Sequence, residues 1–146
     1  MRECLGRSWG GMSTKIQACT GALGNAVRLV GNAVRLVATA GQAGDCPQAL
    51  GLLNGLDTRM VIADTSYDSN TNRTYYAEKG IAVVIPNRPN RTEPLPLDEA
   101  YYRDRNKIER FFGRMKQHRR LATRYDKTVV SFLAFWHITA ALDWLR

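Results

Sequence analysis

The sequence predicts an α/β fold with mixed sheet connections, and three observations predict it. Thr14–Cys19 (TKIQAC) alternates polar and apolar residues with the period of a half-buried strand. Two short apolar runs, Arg59–Ala63 (RMVIA) and Ile81–Pro86 (IAVVIP), read as strands with a helical stretch between them. Two helical segments then close the chain, near 99–121 and 128–145. A length of 146 residues suits one domain with a core of its own.

Each element follows from local chemistry. Residues 1–13 are Gly-rich and read as irregular. After the first strand, Gly24-Asn25 reads as a turn and Ala26–Val30 (AVRLV) as a second strand. The segment GNAVRLV at 24–30 is repeated without change at 31–37, too short a period for a solenoid. Because strand side chains alternate with period two, a seven-residue insert in extended form would turn every later side chain to the opposite face. One copy is therefore expected to loop out or bulge. Cys46–Leu56 reads as a short helix with Asp45 as its cap and Pro47 in its first turn. Asn70–Lys79 reads as a helix closed by Gly80. The polar, Pro-rich segment 87–98 reads as a linker to the C-terminal helices at 99–146.

The composition narrows the partners. The chain carries 21 Lys+Arg against 13 Asp+Glu, a net charge of +8. From Tyr101 onward there are 11 Lys+Arg and 4 Asp+Glu, so this third holds +7 of the charge. A basic surface of that kind suits a polyanion, nucleic acid before anionic lipid; the alternative is a solvated basic helix. Cys4, Cys19 and Cys46 are odd in number and lack metal-ligand spacing, which points to reduced thiols in a cytoplasmic protein. No apolar signal segment opens the chain. The apolar run Val129–Leu145, interrupted by His137 and Asp143, is short for a membrane span and reads as a packed helix.

Two carboxylates stand where chemistry could sit. Asp64 follows the strand RMVIA directly, at the strand end where α/β sheets hold ligands; it could equally cap a turn. Asp68, four residues on, reads as the cap of the next helix. In the segment Tyr102–Lys116, at about 100° per residue, Ile108, Phe111, Phe112 and Met115 share one apolar face. Tyr102, Arg105, Glu109 and Lys116, spaced 3, 4 and 7 apart, form a second stripe at the core boundary. Arg103, Lys107, Arg110 and Arg114 are left for the outward face. The stripe is either a row of i, i+4 ion pairs or a carboxylate placed to hold a divalent cation, with basic residues beside it for phosphates.

The spacing Tyr102-(2)-Arg105-(3)-Glu109-(6)-Lys116 resembles the Y-(2)-R-(3)-E-(6)-K signature of DDE transposases of bacterial insertion sequences. VIADTSYDS, IERFFGRMKQHRRLATRYDKT and GRSWGGMSTKIQA are similar to the subgroup called insertion-sequence family five, and the likeness covers nearly the whole chain apart from the extra GNAVRLV. The resemblance implies a ribonuclease-H-like fold. It also implies Mg²⁺ or Mn²⁺ held by three carboxylates for DNA strand cleavage and transfer. Carried over by position, Asp64 matches the second acidic residue and Glu109 the third, both as catalytic metal ligands. Tyr102, Arg105 and Lys116 match the signature positions that contact or orient DNA, and Arg119, Arg120 and Arg124 are added as phosphate contacts from charge and proximity.

The first aspartate of the triad belongs on a strand upstream of GRSWGG, and MRECL holds none. Asp45 and Asp57 lie in the wrong place to substitute. The chain therefore reads as the C-terminal part of a transposase catalytic domain, truncated before its first strand and inactive alone. Its partners would be terminal inverted repeats and target DNA, with an upstream transposase fragment or a second copy. The alternative is a non-catalytic basic DNA-binding fragment that modulates a full-length transposase. A free-standing nuclease is a weaker third reading, because two carboxylates hold a metal less well than three.

Overall fold

A computed structural model of the protein describes residues 6–8, 11–21 and 33–145. Its strands form two separate sheets. One is antiparallel in the order β1-β2-β3, with β1 Gly6–Ser8, β2 Gly11–Thr20 and β3 Ala33–Ala40. The other is a parallel pair, β4 Met60–Ile62 and β5 Ala82–Val84. The helices are α1 Gln48–Leu53, α2 Asn70–Glu78, α3 Glu99–Tyr102, α4 Asn106–Lys116, α5 Arg119–Ala122 and α6 Val129–Trp144. Residues group into two units, one of 1–43 with 107–146 and one of 44–106.

In the first unit, β2 pairs with β3 so that Ile16 faces Ala38 and Ala18 faces Leu36. That register puts four apolar side chains on one face, and Ile16, Ala18 and Leu36 join the core formed with α4, α5 and α6. The helical apolar face read from sequence is borne out: Phe111 and Met115 are fully buried, and Ile108 and Phe112 pack against the same cluster. From α6, Phe132, Trp136 and Ala140 enter it, at the 3–4 spacing of one helix face. Thr128 caps α6 by accepting the Ser131 amide at 3.2 Å. Among the described residues no helix is long and apolar enough to cross a membrane.

The N-terminal stretch expected to be irregular contains β1 and the start of β2. The strand expected at 26–30 lies outside the described residues. The second copy of the repeat supplies β3 instead, and the pairing shifts register between Cys19 and Thr20. Because the copies are identical, deleting 24–30 or 31–37 yields the same chain with the same AVRLVATA strand. Loop closure costs little per added residue, so this deletion is expected to leave stability unchanged or raised by about 0.5 kcal/mol. Urea unfolding of the two chains checks it.

In the second unit, β4 and β5 flank α2, and the parallel register Met60↔Ala82, Val61↔Val83, Ile62↔Val84 sets both strand ends on one side. Ala49, Leu52, Leu53, Tyr76, Val84 and Ile85 are buried there. Burial also pushes the Tyr76 phenol up to about 12. Gly80 follows α2 at φ +64, the left-handed turn that a glycine takes without steric cost, as read from the sequence.

Two expected caps are corrected. Asp45 does not cap α1 with its side chain: Pro47 stands at the N-cap with no side-chain bond, while the Asp45 carbonyl accepts the Gln48 amide at 2.9 Å. Asp68 does not cap α2, because Ser69 does so through the Asn72 amide at 3.1 Å. The long helix expected at 99–121 is also interrupted: residues 103–105 form a 3₁₀ turn between α3 and α4, and residues 117–118 separate α4 from α5. No glycine or proline marks the first break.

Candidate active site

Asp64 follows β4 after one residue, Ala63, whose amide still bonds the Val84 carbonyl at 3.3 Å. The backbone then turns into a 3₁₀ helix, Thr65–Tyr67, with Asp64 as its N-cap. Asp64 Oδ1 accepts the Ser66 amide at 2.8 Å and the Ser66 hydroxyl. Both bonds fall on one carboxylate oxygen, which leaves Oδ2 outside the turn. Thus Asp64 caps a turn and also remains half-buried with an oxygen directed elsewhere.

Asp45, read from the sequence as a cap and set aside as a ligand, comes close to this turn. Its Oδ2 lies 3.4 Å from the Ser66 hydroxyl, so Ser66 stands between two carboxylates. Burial first, and then the negative charges of Asp45 and Asp64, hold the nearby Tyr67 phenol well above its ordinary range. Asn72 clips the two turns together: its amide nitrogen donates to the carbonyls of Cys46 at 3.2 Å and Tyr67 at 3.0 Å. No local pattern would reveal the links from Asp45 to Ser66 and from Asn72 to Cys46, which join residues 21 and 26 apart.

Asp68 is the most enclosed carboxylate near the site, with a side chain of 0% exposure. Its Oδ1 accepts Arg73 Nε at 2.6 Å and Arg91 Nη2 at 2.7 Å. Its Oδ2 accepts the Arg88 amide at 2.8 Å and Arg91 Nε at 2.9 Å. Burial alone would raise its pKa; the bonds from Arg91, Arg73 and Arg88 outweigh it and hold the carboxyl well below the usual range. The segment expected to be a linker is consequently a built loop, tied at its start to Asp68 and pinched where Asn87 bonds both the amide and the carbonyl of Leu95.

Glu109 belongs to the other unit, on α4. It is exposed rather than at the core boundary, which corrects its expected position. The correction has a cause: α4 is rotated so that Phe111 and Met115 are buried, and Arg114 is drawn inward to Asp143 of α6. Arg114 donates through Nε at 2.8 Å and Nη2 at 2.7 Å to a carboxylate of 5% exposure, and is therefore not an outward residue.

Tyr102 and Arg105 bracket the 3₁₀ turn, and the Arg105 guanidinium lies 5.6 Å from the Tyr102 ring centre. In a 3₁₀ turn residues three apart eclipse one another, so the uniform stripe expected from a continuous helix is not kept across this segment. Lys116 and Arg119 are exposed. Arg120 grips Asp126 at 2.6 Å and stacks 3.6 Å from the Phe135 ring centre. Arg124 donates to the Asp126 and Lys127 carbonyls at 3.0 and 3.1 Å and to Thr14 Oγ1 at 2.5 Å. These last two arginines fasten the turn between α5 and α6.

Among the described residues no cluster of three or more His, Cys, Asp or Glu forms a ready-made metal cage. Each carboxylate by itself suits a hard cation in kind: Asp64 has one oxygen outside its turn bonds, and Glu109 is exposed.

Residues 61–146 match the family model described as Transposase DDE domain. This match covers more than half of the chain and includes both Asp64 and Glu109. The chain belongs to the DDE transposase family. It is also 38% identical over 138 residues to the "Putative transposase for insertion sequence element IS6501" of Brucella ovis, covering 92% of this chain and 100% of that protein. No solved structure matches. The family assignment agrees with the resemblance read from the Tyr102–Lys116 spacing, and it makes this transposase a protein of DNA transposition by lineage.

Proposed function

We propose that this transposase belongs to the ribonuclease-H-like catalytic domains that cleave and join DNA strands with Mg²⁺ or Mn²⁺. One observation carries the reading: Asp64, at the end of a parallel strand, and Glu109, on a basic helix, both lie within the matched segment 61–146. When bound, the cation supplies charge neutralisation and activation of water or a DNA 3′-hydroxyl for in-line attack. The chain's own part is to hold and orient. Asp64, fixed by Ser66, and Glu109 supply oxygen ligands; Tyr102, Arg105, Lys116 and Arg119 hold the phosphates of terminal-repeat and target DNA. Arg120 and Arg124 serve the fold first, because their donors are already engaged. The protein works in the cytoplasm, with Cys19 and Cys46 as free thiols and Cys19 made less acidic by burial. A second copy or an upstream transposase segment completes the third ligand.

A second reading, a basic DNA-binding fragment without catalysis, is favoured by the net charge of +8 and the exposed Arg103, Arg110, Lys116 and Arg119. Incubation with terminal-repeat DNA and Mn²⁺, with and without the upstream segment, separates the two. Under the first reading, nicking occurs and Asp64→Ala or Glu109→Ala abolishes it. Under the second, no nicking occurs, affinity falls steeply with salt, and Lys116→Ala lowers the log–log salt slope by about 0.9. DNA that neither binds nor is cut would overturn both.

A further inference from the structure

We propose that Arg88 is a positioning residue for Asp64, acting through Ser66, with Asp68 and Arg91 anchoring the loop that carries it. The inference rests on the reading of Asp64 as a metal ligand. Because β4 and β5 are parallel and in register, the segments that follow them leave the same end of the pair. One carries Asp64, Ser66 and Asp68; the other carries Ile85, Arg88 and Arg91. They are laced together by Arg88 and Arg91. Arg88 Nη2 donates to the Ser66 carbonyl at 3.0 Å, and the Arg88 amide donates to Asp68 Oδ2 at 2.8 Å. Arg91 donates to Asp68 Oδ1 at 2.7 Å and Oδ2 at 2.9 Å, and Arg73 of α2 adds a further tie, donating to Asp68 Oδ1 at 2.6 Å and to the Ile85 carbonyl at 2.9 Å.

The Asp68 bonds and the Arg88 side chain do different work. Asp68 is buried, and its bonds with Arg73, Arg91 and the Arg88 amide hold the loop in place. The Arg88 side chain is exposed and packs into no core, yet its guanidinium ends on the carbonyl of the residue whose amide and hydroxyl orient Asp64. Removing that side chain leaves the backbone bond to Asp68 in place. The contact therefore holds the Ser66–Tyr67 peptide plane, and through the Ser66 Cα it steadies the amide and hydroxyl on which the Asp64 carboxylate rests. A ligand carboxylate held from behind in this manner keeps its geometry when a charged partner arrives.

The test uses the full chain as wild type, Arg88→Ala, Arg88→Lys and Asp64→Ala. Two quantities are measured: residue-resolved amide exchange by NMR, and Mn²⁺ affinity by electron paramagnetic resonance. Loss of one hydrogen bond behind the turn is expected to speed Ser66 amide exchange about tenfold in Arg88→Ala, with the amides of β4 and α2 unchanged. Arg88→Lys, which can still donate to the carbonyl, restores part of the protection. Mn²⁺ binding weakens several-fold in Arg88→Ala, as expected when an outer partner of a ligand is removed. Unchanged Ser66 exchange in Arg88→Ala overturns the proposal, and so does a rise shared equally by β4 and α2. If Mn²⁺ fails to bind wild type, or binds Asp64→Ala equally well, the ligand role of Asp64 falls; the exchange result still decides whether Arg88 positions it.

Discussion

Replacing Asp68 with alanine is expected to destabilise the 44–106 unit by about 4–5 kcal/mol, the upper end of the cost of breaking a buried ion pair. The magnitude follows from what is left behind. Arg73 and Arg91 have side-chain exposures of 12% and 14%, so neither can recover water fully once the carboxylate is gone. The Arg88 amide loses its acceptor as well. Amide exchange in β5 and α2 should accelerate by roughly a thousandfold. The same carboxylate sets an acid limit. Its folded pKa lies below the unfolded value of about 4, so its contribution is complete above that pH and is lost as pH falls toward the folded value. Asp68→Asn should flatten the acid limb of the stability profile below about pH 4; an unchanged limb would show that other carboxylates dominate.

Asp143→Ala is expected to cost about 3 kcal/mol, the lower end of the same range. The pair with Arg114 has the same bidentate form, but the Arg114 side chain is 25% exposed and regains some hydration when its partner is lost. Because this pair ties α4 to α6, and Phe111, Met115, Phe132 and Trp136 pack between the same helices, the variant should loosen α4 as well as lower stability. Urea unfolding followed by tryptophan fluorescence, to which Trp136 in this core contributes, measures it. Asp143→Asn, which keeps an acceptor for one of the two bonds, should lose less. Equal losses in the two variants would show that charge rather than geometry matters there.

Much of the fold was legible because it is written in short-range periodicity. The TKIQAC alternation marked β2, the apolar runs marked β4 and β5, and Gly80 marked the end of α2. The apolar face of α4 followed from the spacing of Ile108, Phe111, Phe112 and Met115. What was not legible depends on partners distant in sequence. Asp68 looked like a cap because caps are local, whereas its partner Arg91 lies 23 residues away. Arg114 looked exposed because the helical wheel of its own segment cannot show Asp143, 29 residues on. Asp45 was set aside by its place in the chain, and folding brings it to Ser66. The break at 103–105 carries no glycine or proline, so the helix read as continuous. For the site, the Tyr102-Arg105-Glu109-Lys116 spacing was enough to point to the family; the support behind Asp64 required coordinates.

The proposed roles of Asp64 and Glu109 as ligands of a divalent cation are tested most directly by iron-mediated cleavage. Iron(II) in place of Mg²⁺, with ascorbate and peroxide, cuts a polypeptide backbone beside the residues that bind it. Applied to the chain with terminal-repeat DNA and the proposed partner segment, the reaction is predicted to cut next to both Asp64 and Glu109. Excess Mg²⁺ should suppress both cuts, and Asp64→Ala should lose both together. Cuts that persist unchanged in Asp64→Ala, or that fall at neither residue, would show that these carboxylates do not hold the cation.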